Sequence, residues 1–591
     1  MRYFLTIFDP DVLTRSLPLS VLTRPKSDSY FWSKVLAIVL LTSTCVVAQV
    51  QPSNPPGPKT GSIKGTVVNE NGQPLQNVVI YLRTFSSLRP VQFGLTDNEG
   101  KFEVTGLEPL TFQIFARHSV YSLLPRDEGT PNNYHIGDFV KLVMVKGGVI
   151  TGTVTSRDGE PVIGVPVRVI AVPNGDLNQE CLTDDRGVYR IYGLASGKYV
   201  VSAGGSQGPN SFGPYDGDAP TYSPASTRDT AAEINVRAGE ETTNVDIRYR
   251  GEPGRTVSGT VSNPPVGEPR AGAGVFVSLS LSAESGTQLN VGTTGLSGRG
   301  FAFPGVDDGE YTVVARTFGL DGETSISQPQ RITVRGADVT GIELLLKPMG
   351  TVSGQIVLEE LKTKECGTKE TPVLTEAVVS AWHKQDEAAK ALPNSVWGLG
   401  TPASADAQGG FKLRNLAPGD YYFVTRFSGK SWYLQSVSLA SPATKKVVDA
   451  TRVWTAVKSG DRISGLKITL VEGAASVSGQ VALAEGETLP EKLFVYLVPA
   501  EKESGDEVLR FYGAAVSADG KITLSNLVPG RYWLLAQTAL DGGFTKLRLP
   551  DATETRAKLR RDAEALKTEI ELKPCQNVVD VQIKGGREAT P

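Results

Sequence analysis

The sequence predicts an all-β protein of about five antiparallel β-sandwiches in series, with Greek-key connections and one helix near the C-terminus. Three observations point there. The 591 residues exceed what a single core can organise, and at roughly 100–150 residues per domain they make about four to six domains. Gly 63 and Pro 37 beside 40% hydrophobic residues describe an ordered, turn-rich chain of short strands rather than a disordered one. The third observation is that the chain repeats itself.

Two signatures recur in fixed order. The first opens each unit: GSIKGTVV at 61, GVITGTVT at 148, RTVSGTVS at 255, GTVSGQIV at 350 and ASVSGQVA at 475. Each sets β-branched residues around one glycine, and each precedes a second apolar strand such as GVPVRVIAV at 164–172. The second signature is TDNEGKFEVTGLEPLTFQIFA at 96, TDDRGVYRIYGLASGKYVV at 183, LSGRGFAFPGVDDGEYTVVA at 296, ADAQGGFKLRNLAPGDYYFV at 405 and SADGKITLSNLVPGRYWLLA at 517. It reads turn, alternating strand, G/N-L or G-V, a second turn and an aromatic strand; period-2 alternation between turn residues predicts a hairpin. A closing strand follows: FVKLVMV at 139, TNVDIRY at 243, GIELLLK at 341, GLKITLV at 465 and VVDVQIK at 578. Six or seven strands in units of roughly 85–125 residues suit a small two-sheet sandwich.

The expected units are 61–147, 148–252, 253–348, 349–473 and 474–586, with a tail at 587–591. The junctions VKGGV, RGEPGRTV, KPMGTV and VEGAASV run closing strand into opening strand, which leaves little hinge freedom. In the last unit, residues 551–567 read as a helix. Asp551 and Glu554 suit a cap pair, while Leu559, Ala563, Leu566 and Ile570 form an apolar stripe that would cover one face of the sandwich.

Residues 1–48 read as a signal peptide. Lys34 precedes an apolar run at 35–47, of h-region length and too short to span a bilayer; Val46 and Ala48 suit cleavage before Gln49. A lipid anchor on Cys45 is not expected, because Thr42 and Thr44 stand where aliphatic and small residues belong. Residues 49–60 form a Pro-rich linker. With no later run of about 18 apolar residues, the mature chain has no transmembrane span and is expected in the periplasm, on the outer surface or outside the cell. The 60 basic and 63 acidic residues cancel without blocks, so no nucleic-acid partner is expected. Cys181, Cys366 and Cys575 remain after cleavage, allow at most one internal bridge and lack the C-x-x-C spacing of zinc or redox sites.

The pattern V-x-G-x-V, then D-x-x-G-x-F/Y-x-I/V-x-G/N-L, then P-G-x-Y-x-V resembles carboxypeptidase regulatory-like domains, the transthyretin- or prealbumin-like sandwich modules. The second, fourth and fifth units carry it best. The first has Glu-Pro-Leu-Thr-Phe in place of the P-G-x-Y turn, and the third lacks the acid before Gly300. The resemblance implies a non-catalytic module with a carbohydrate-binding-like fold, found beside an enzyme, transporter or surface domain.

Candidate chemistry is sparse. His118, His135 and His383 share no ligand spacing, no G-x-S-x-G elbow occurs, and GGSQGPNSFG lacks the lysine of a phosphate loop. No catalytic residue, metal site or cofactor is therefore expected. Asp184 and Asp185 could ligate a hard cation, but the equivalent turns carry Asp97/Asn98/Glu99, no acid, Asp406 or Asp519, whereas a glycine recurs at Gly100, Gly187, Gly300, Gly409 or Gly410, and Gly520. A cation needs several oxygens retained together and a tight turn needs only the glycine and an Asx side chain, so these positions read as turns. Lys64 and Asn244 belong to different units, which argues against a Lys–Asn crosslink.

Tyr199, Tyr311, Tyr421 and Tyr532 each follow a turn in the manner of a tyrosine corner. Aligning Ala377, Val379 and Ala381 with Val165, Val167 and Val169 turns Trp382 to the opposite face; Tyr422 faces outward likewise, as does Trp533. With Trp397, Trp432 and Trp454, these give a candidate glycan or partner surface: Trp382, Trp397, Tyr422, Trp432 and Trp454. Packing between units is the competing use of the same side chains. The reading is an exported non-enzymatic scaffold or interaction module with an envelope or surface protein as partner; carbohydrate binding by the fourth unit is the alternative, and an accessory role in a surface transport or secretion complex the third.

Overall fold

The computed structural model describes residues 60–584 except 86–91, 125–131, 173–176, 206–212, 229, 263–273, 283–287, 296–298, 319–323, 362–370, 385–401, 441–445, 483–488, 491, 518, 539–546 and 567. Residues 1–48, expected to be a signal peptide, most of the expected linker, Cys366, Trp397 and the tail lie outside the described residues.

Five two-sheet sandwiches follow one another, each with its own cluster of buried side chains. The first shows the plan. Its opening strand Gly61–Asn69 lies between Lys101–Leu107 and the closing strand Phe139–Lys146, and its second sheet centres Val79–Thr84 between Gln92–Leu95 and Phe112–Arg117. Inward alternation puts Ile63, Val67, Ile80, Leu82, Phe102, Ile114 and Leu142 between the sheets. Each such aliphatic side chain contributes about 1.5–3 kcal/mol through its removal from water. Pairing is antiparallel except where the opening strand meets the closing segments, a parallel contact present in every sandwich.

The expected turn hairpin is not a hairpin. In all five repeats the alternating strand pairs with the opening strand in one sheet, while the aromatic strand after it pairs with the partner strand in the other. The glycine or asparagine before the final Leu or Val of the alternating strand is a bulge, and the chain crosses the sandwich just after that strand ends. The bulge residue has positive φ each time, at Gly106, Gly193, Gly305, Asn415 and Asn526, a conformation that only Gly and, at modest cost, Asn adopt readily. Sequence alternation reports only which residues face inward, and two strands facing one core from opposite sheets alternate as a hairpin does.

The opening glycine has a geometric reason to recur. Gly65, Gly152, Gly259, Gly354 and Gly479 each face the closing segment so closely that a Cβ would lie 2.2, 2.1, 2.1, 2.1 and 2.3 Å from the carbonyl oxygens of Val140, Val245, Ile342, Leu466 and Val581. In the last four sandwiches the residue just before that carbonyl is a left-handed bulge: Asn244 (φ 60), Gly341 (φ 74), Gly465 (φ 90) and Asp580 (φ 58). Asn244 is thus a bulge residue, and Lys64 pairs with Glu103 at 3.2 Å within its own sandwich.

The tyrosine corners form as the sequence predicts. Tyr199, Tyr311, Tyr421 and Tyr532 each donate their hydroxyl to the carbonyl four residues back, at 2.8, 2.8, 2.9 and 2.7 Å. The first sandwich has Phe112 there, and its Glu-Pro-Leu-Thr-Phe stretch instead meets the fourth sandwich. Thr375 Oγ1 donates to the Pro109 carbonyl (2.5 Å) and Thr111 Oγ1 to the Glu376 carbonyl (2.6 Å).

Junctions repeat as closely as cores do. The residue leading into each new opening strand donates its N–H to a loop carbonyl of the sandwich before: Gly147 to Val120 (2.8 Å), Gly254 to Gly217 (2.9 Å), Met349 to Thr324 (3.0 Å) and Ala474 to Ser431 (2.9 Å). The bulge near the end of the new sandwich's alternating strand seats on the same loop. A Cβ on Gly193 would lie 2.7 Å from Ser119 O, and one on Gly305 2.5 Å from Asp216 O. Asn415 Oδ1 accepts from Thr324 N and Oγ1, and Asn526 Nδ2 donates to the carbonyls of Gly429 and Trp432.

The helix spans Thr553–Leu566 and covers the outer face of the last sandwich, Leu559 and Ala563 packing on Tyr496, Val498, Trp533 and Leu535. Two details differ from the sequence reading. Ile570 lies in the strand Glu569–Leu572, not on the helical stripe. Asp551 stands ahead of the helix, 3.6 Å from Lys384 Nζ of the fourth sandwich, and so anchors a contact between sandwiches.

Candidate binding surface

The fourth sandwich brings three of its candidate aromatics together on the outward face of the sheet that contains Val378–His383 and Gly419–Arg426. Trp382 and Tyr422 are cross-strand partners, so period-2 geometry sets both rings on one side. Their centroids lie 6.2 Å apart, and Trp454 meets Tyr422 edge-on at 5.6 Å. Trp382 is 45% exposed. Tyr422 is only 4% exposed, its hydroxyl and Trp454 Nε1 have no hydrogen-bond partner among the described residues, and burial pushes the Tyr422 phenol up to about 12. Lys384 Nζ sits 5.1 Å from the Trp454 ring centroid while pairing with Asp551, so the edge of this aromatic group packs toward the fifth sandwich.

Trp432 is not on this surface. It is 3% exposed and belongs to the core of the fourth sandwich, where its carbonyl accepts from Asn526. An aromatic at the start of a strand has no flanking alternation to reveal its side, and the loop before it hid the phase.

The aspartate turns are closed by their own backbone. Asp184 Oδ1 accepts from Arg186 N (3.0 Å) and Val188 N (2.8 Å), and Asp97 and Asp406 repeat this with Glu99 and Lys101, and with Gln408 and Gly410. The Arg186 guanidinium, then the Val188 N–H, hold the Asp184 carboxyl below the usual range. In the fifth sandwich the equivalent residue is Ser517, which exchanges backbone hydrogen bonds with Lys521 and Gly520 as Asp97 does with Lys101 and Gly100. Asp519 instead accepts from the Ser517 hydroxyl. His135 sits 3.1 Å from Thr111 Oγ1 and 4.0 Å from Glu376 Oε2, at the contact between the first and fourth sandwiches. His383 packs edge-on against Tyr421. Cys575 is disulfide-bonded, whereas Cys181 is a free thiol raised in pKa by burial.

Buried arginines were not anticipated from sequence. Arg510 donates to Glu501, Ser504 and the Tyr532 hydroxyl. Arg556, 1% exposed, gathers the carbonyls of Leu547, Leu549 and Pro550 ahead of the helix. Both satisfy donors locally, as buried charge requires. A lone arginine among many carries no sequence signal for this.

The strand order defines a tandem array of two-sheet β-sandwiches. Residues 149–249, the bulk of the second sandwich, match the family model of the carboxypeptidase regulatory-like domain, the family the sequence resembles. No curated protein matches the chain. Among solved structures, the chain is similar to the Bacillus anthracis TIE protein (12% identity, 71% of this chain and 67% of that one, TM-score 0.14). It is also similar to GBS52, the minor pilin of Streptococcus agalactiae (14%, 35% and 99%, 0.19), and to two B repeat units of the Staphylococcus aureus collagen binding protein (13%, 70% and 100%, 0.13).

Proposed function

We propose that the chain is an exported, non-catalytic scaffold of the cell envelope or surface, presenting its sandwiches in fixed succession to a protein partner. The repeated junction carries this reading. The same N–H to carbonyl contact, and a seating of the alternating strand's bulge on the same loop, occur at all four joins, which suits a protein that sets spacing and orientation. The carboxypeptidase regulatory-like match supports a non-catalytic role, and among the described residues no helix is long and apolar enough to cross a membrane.

Carbohydrate binding by the fourth sandwich has weaker support. Of its described candidates, Trp432 is core, Tyr422 is covered and Trp454 faces Lys384, which leaves Trp382 as the one well-exposed ring. A single aromatic does not make a sugar platform. The scaffold reading is tested by fractionating cells of the source organism and sequencing the N-terminus of the recovered chain. A chain beginning at Gln49 in the envelope or medium is the expected result; one beginning at Met1 and confined to the cytosol contradicts it.

A further inference from the structure

The contact between the first and fourth sandwiches closes a circuit that chain order alone does not require. Residues 109–111 join Leu107, which pairs with Gly61 at the start of the first opening strand, to the aromatic strand that begins at Phe112. They therefore lie at the leading end of the first sandwich. Thr375 and Glu376 belong to a short 3-10 turn, Leu374–Glu376, just before Val378, the cross-strand partner of Arg426. Pro372, ahead of that turn, stands 3.2 Å from where a Cβ on Gly429 would lie, and Gly429 is in the loop that accepts from Asn526 of the fifth sandwich. The leading end of the first sandwich thus meets the trailing end of the fourth, and the joins between them complete a closed circuit of four sandwiches.

The four joins rest on backbone amides, which do not titrate, whereas this contact surrounds a histidine with acceptors. Thr111 Oγ1 spends its one hydrogen on the Glu376 carbonyl (2.6 Å), so toward His135 Nε2, 3.1 Å away, the hydroxyl can only accept. The other ring nitrogen, Nδ1, faces Asp138 Oδ2 at 3.9 Å, an oxygen that also accepts from His135 N (2.8 Å). Glu376 Oε2 lies 4.0 Å from Nε2, in a residue only 7% exposed. The groups facing the ring are a committed hydroxyl and two carboxylates, one from its own loop and one from the fourth sandwich. Among the described residues neither carboxylate pairs with a lysine or arginine. A neutral ring donates from one nitrogen and turns a lone pair toward an acceptor at the other. The imidazolium donates from both and supplies the cation that a buried carboxylate requires.

We infer that this contact is a proton-linked clasp, which tightens when His135 takes up its second proton and loosens when the ring loses it. Histidine changes charge between about pH 5 and 8. Closure places the ring between two carboxylates, so the closed clasp favours the protonated ring; the added stability is present on the acid side of that range and is lost as pH rises through it. The Thr111 and Thr375 hydroxyl bonds position the clasp at any pH in the range.

The test is amide hydrogen exchange in the full mature chain, read as protection factors corrected for the intrinsic effect of pH, at Glu376 and Ala377. Their N–H groups bond to the carbonyls of Val373 and Leu374 within the turn that the first sandwich covers. Protection there is expected to be at least about threefold higher at about pH 5.5 than at about pH 8. His135→Gln keeps a donor for Thr111 and cannot ionise, so it should make the two values equal; Glu376→Gln should shrink the difference. Thr111→Val combined with Thr375→Val should lower protection at both pH values. Retained protection of Gly350–Glu359 in every variant separates an opened clasp from an unfolded fourth sandwich. Equal protection at the two pH values in the unaltered chain, a difference that persists in His135→Gln, or undiminished protection in the double threonine variant would each overturn the inference.

Discussion

Gly152→Ala should unfold the second sandwich locally, by about 3 kcal/mol or more. A Cβ at this position would stand 2.1 Å from Val245 O, 2.5 Å from Val245 C and 3.0 Å from the Tyr189 ring. The first two atoms are backbone held by the Val245 N–H bond to Thr151 O (3.1 Å), and Tyr189 is buried with its hydroxyl bonded to that same Val245 carbonyl. Nothing flexible is available to give way. Overpacking in cores costs typically 1–3 kcal/mol, and a collision with paired backbone belongs at or above the upper end. Gly217→Ala is the control, since its Cβ would meet nothing within 4 Å and its φ is not left-handed. Hydrogen exchange should show Gly148–Thr155 deprotected in the first variant and unchanged in the second. Equal protection in both would remove the explanation for the repeated glycine.

Arg556→Met is expected to release the helix from the fifth sandwich while leaving the other four intact. The guanidinium is fully enclosed. It reaches Asp506 at 3.2 Å, the carbonyls of Leu547 and Leu549 at 3.0 and 2.8 Å, and Pro550 O and Thr553 Oγ1 at 3.5 and 3.4 Å. Methionine fills much of the volume and supplies no donor, so those carbonyls lose their partner in a buried setting. Each carbonyl left buried without a donor costs about 1–3 kcal/mol, so losing two or three at once exceeds what a small helix interface of a few apolar residues can absorb. Loss of exchange protection across Thr553–Leu566, with a new protease-sensitive site in the segment before it, is the expected outcome; an unchanged helix would show that Leu559 and Ala563 hold it unaided.

The cores and corners were legible in the sequence because both depend on local pattern. Alternation identified inward residues such as Val165, Val167 and Val169, and a tyrosine after a Gly turn can reach only the carbonyl four residues back. Strand pairing was less legible. The alternating and aromatic strands look like a hairpin, and the pairing of one with the opening strand and the other with the partner strand is a long-range choice that alternation does not encode. The glycine signature was visible but its cause was not, since the carbonyl that excludes a side chain comes from a strand roughly 80–110 residues later. The candidate surface fared similarly. Cross-strand phase placed Trp382 and Tyr422 together, but whether a neighbouring sandwich covers them depends on contacts that alternation does not encode.

The sandwiches interlock at equivalent joins instead of hanging as separate beads, an arrangement open to direct measurement. Its most direct measurement is residue-resolved hydrogen exchange at the backbone amides of Gly147, Gly254, Met349 and Ala474 in the intact mature chain. Each donates to a loop carbonyl of the preceding sandwich, so all four should be protected to a degree comparable with the strands that follow them. Exchange at the rate of unstructured chain at these four amides, with the adjoining strands protected, would contradict the account.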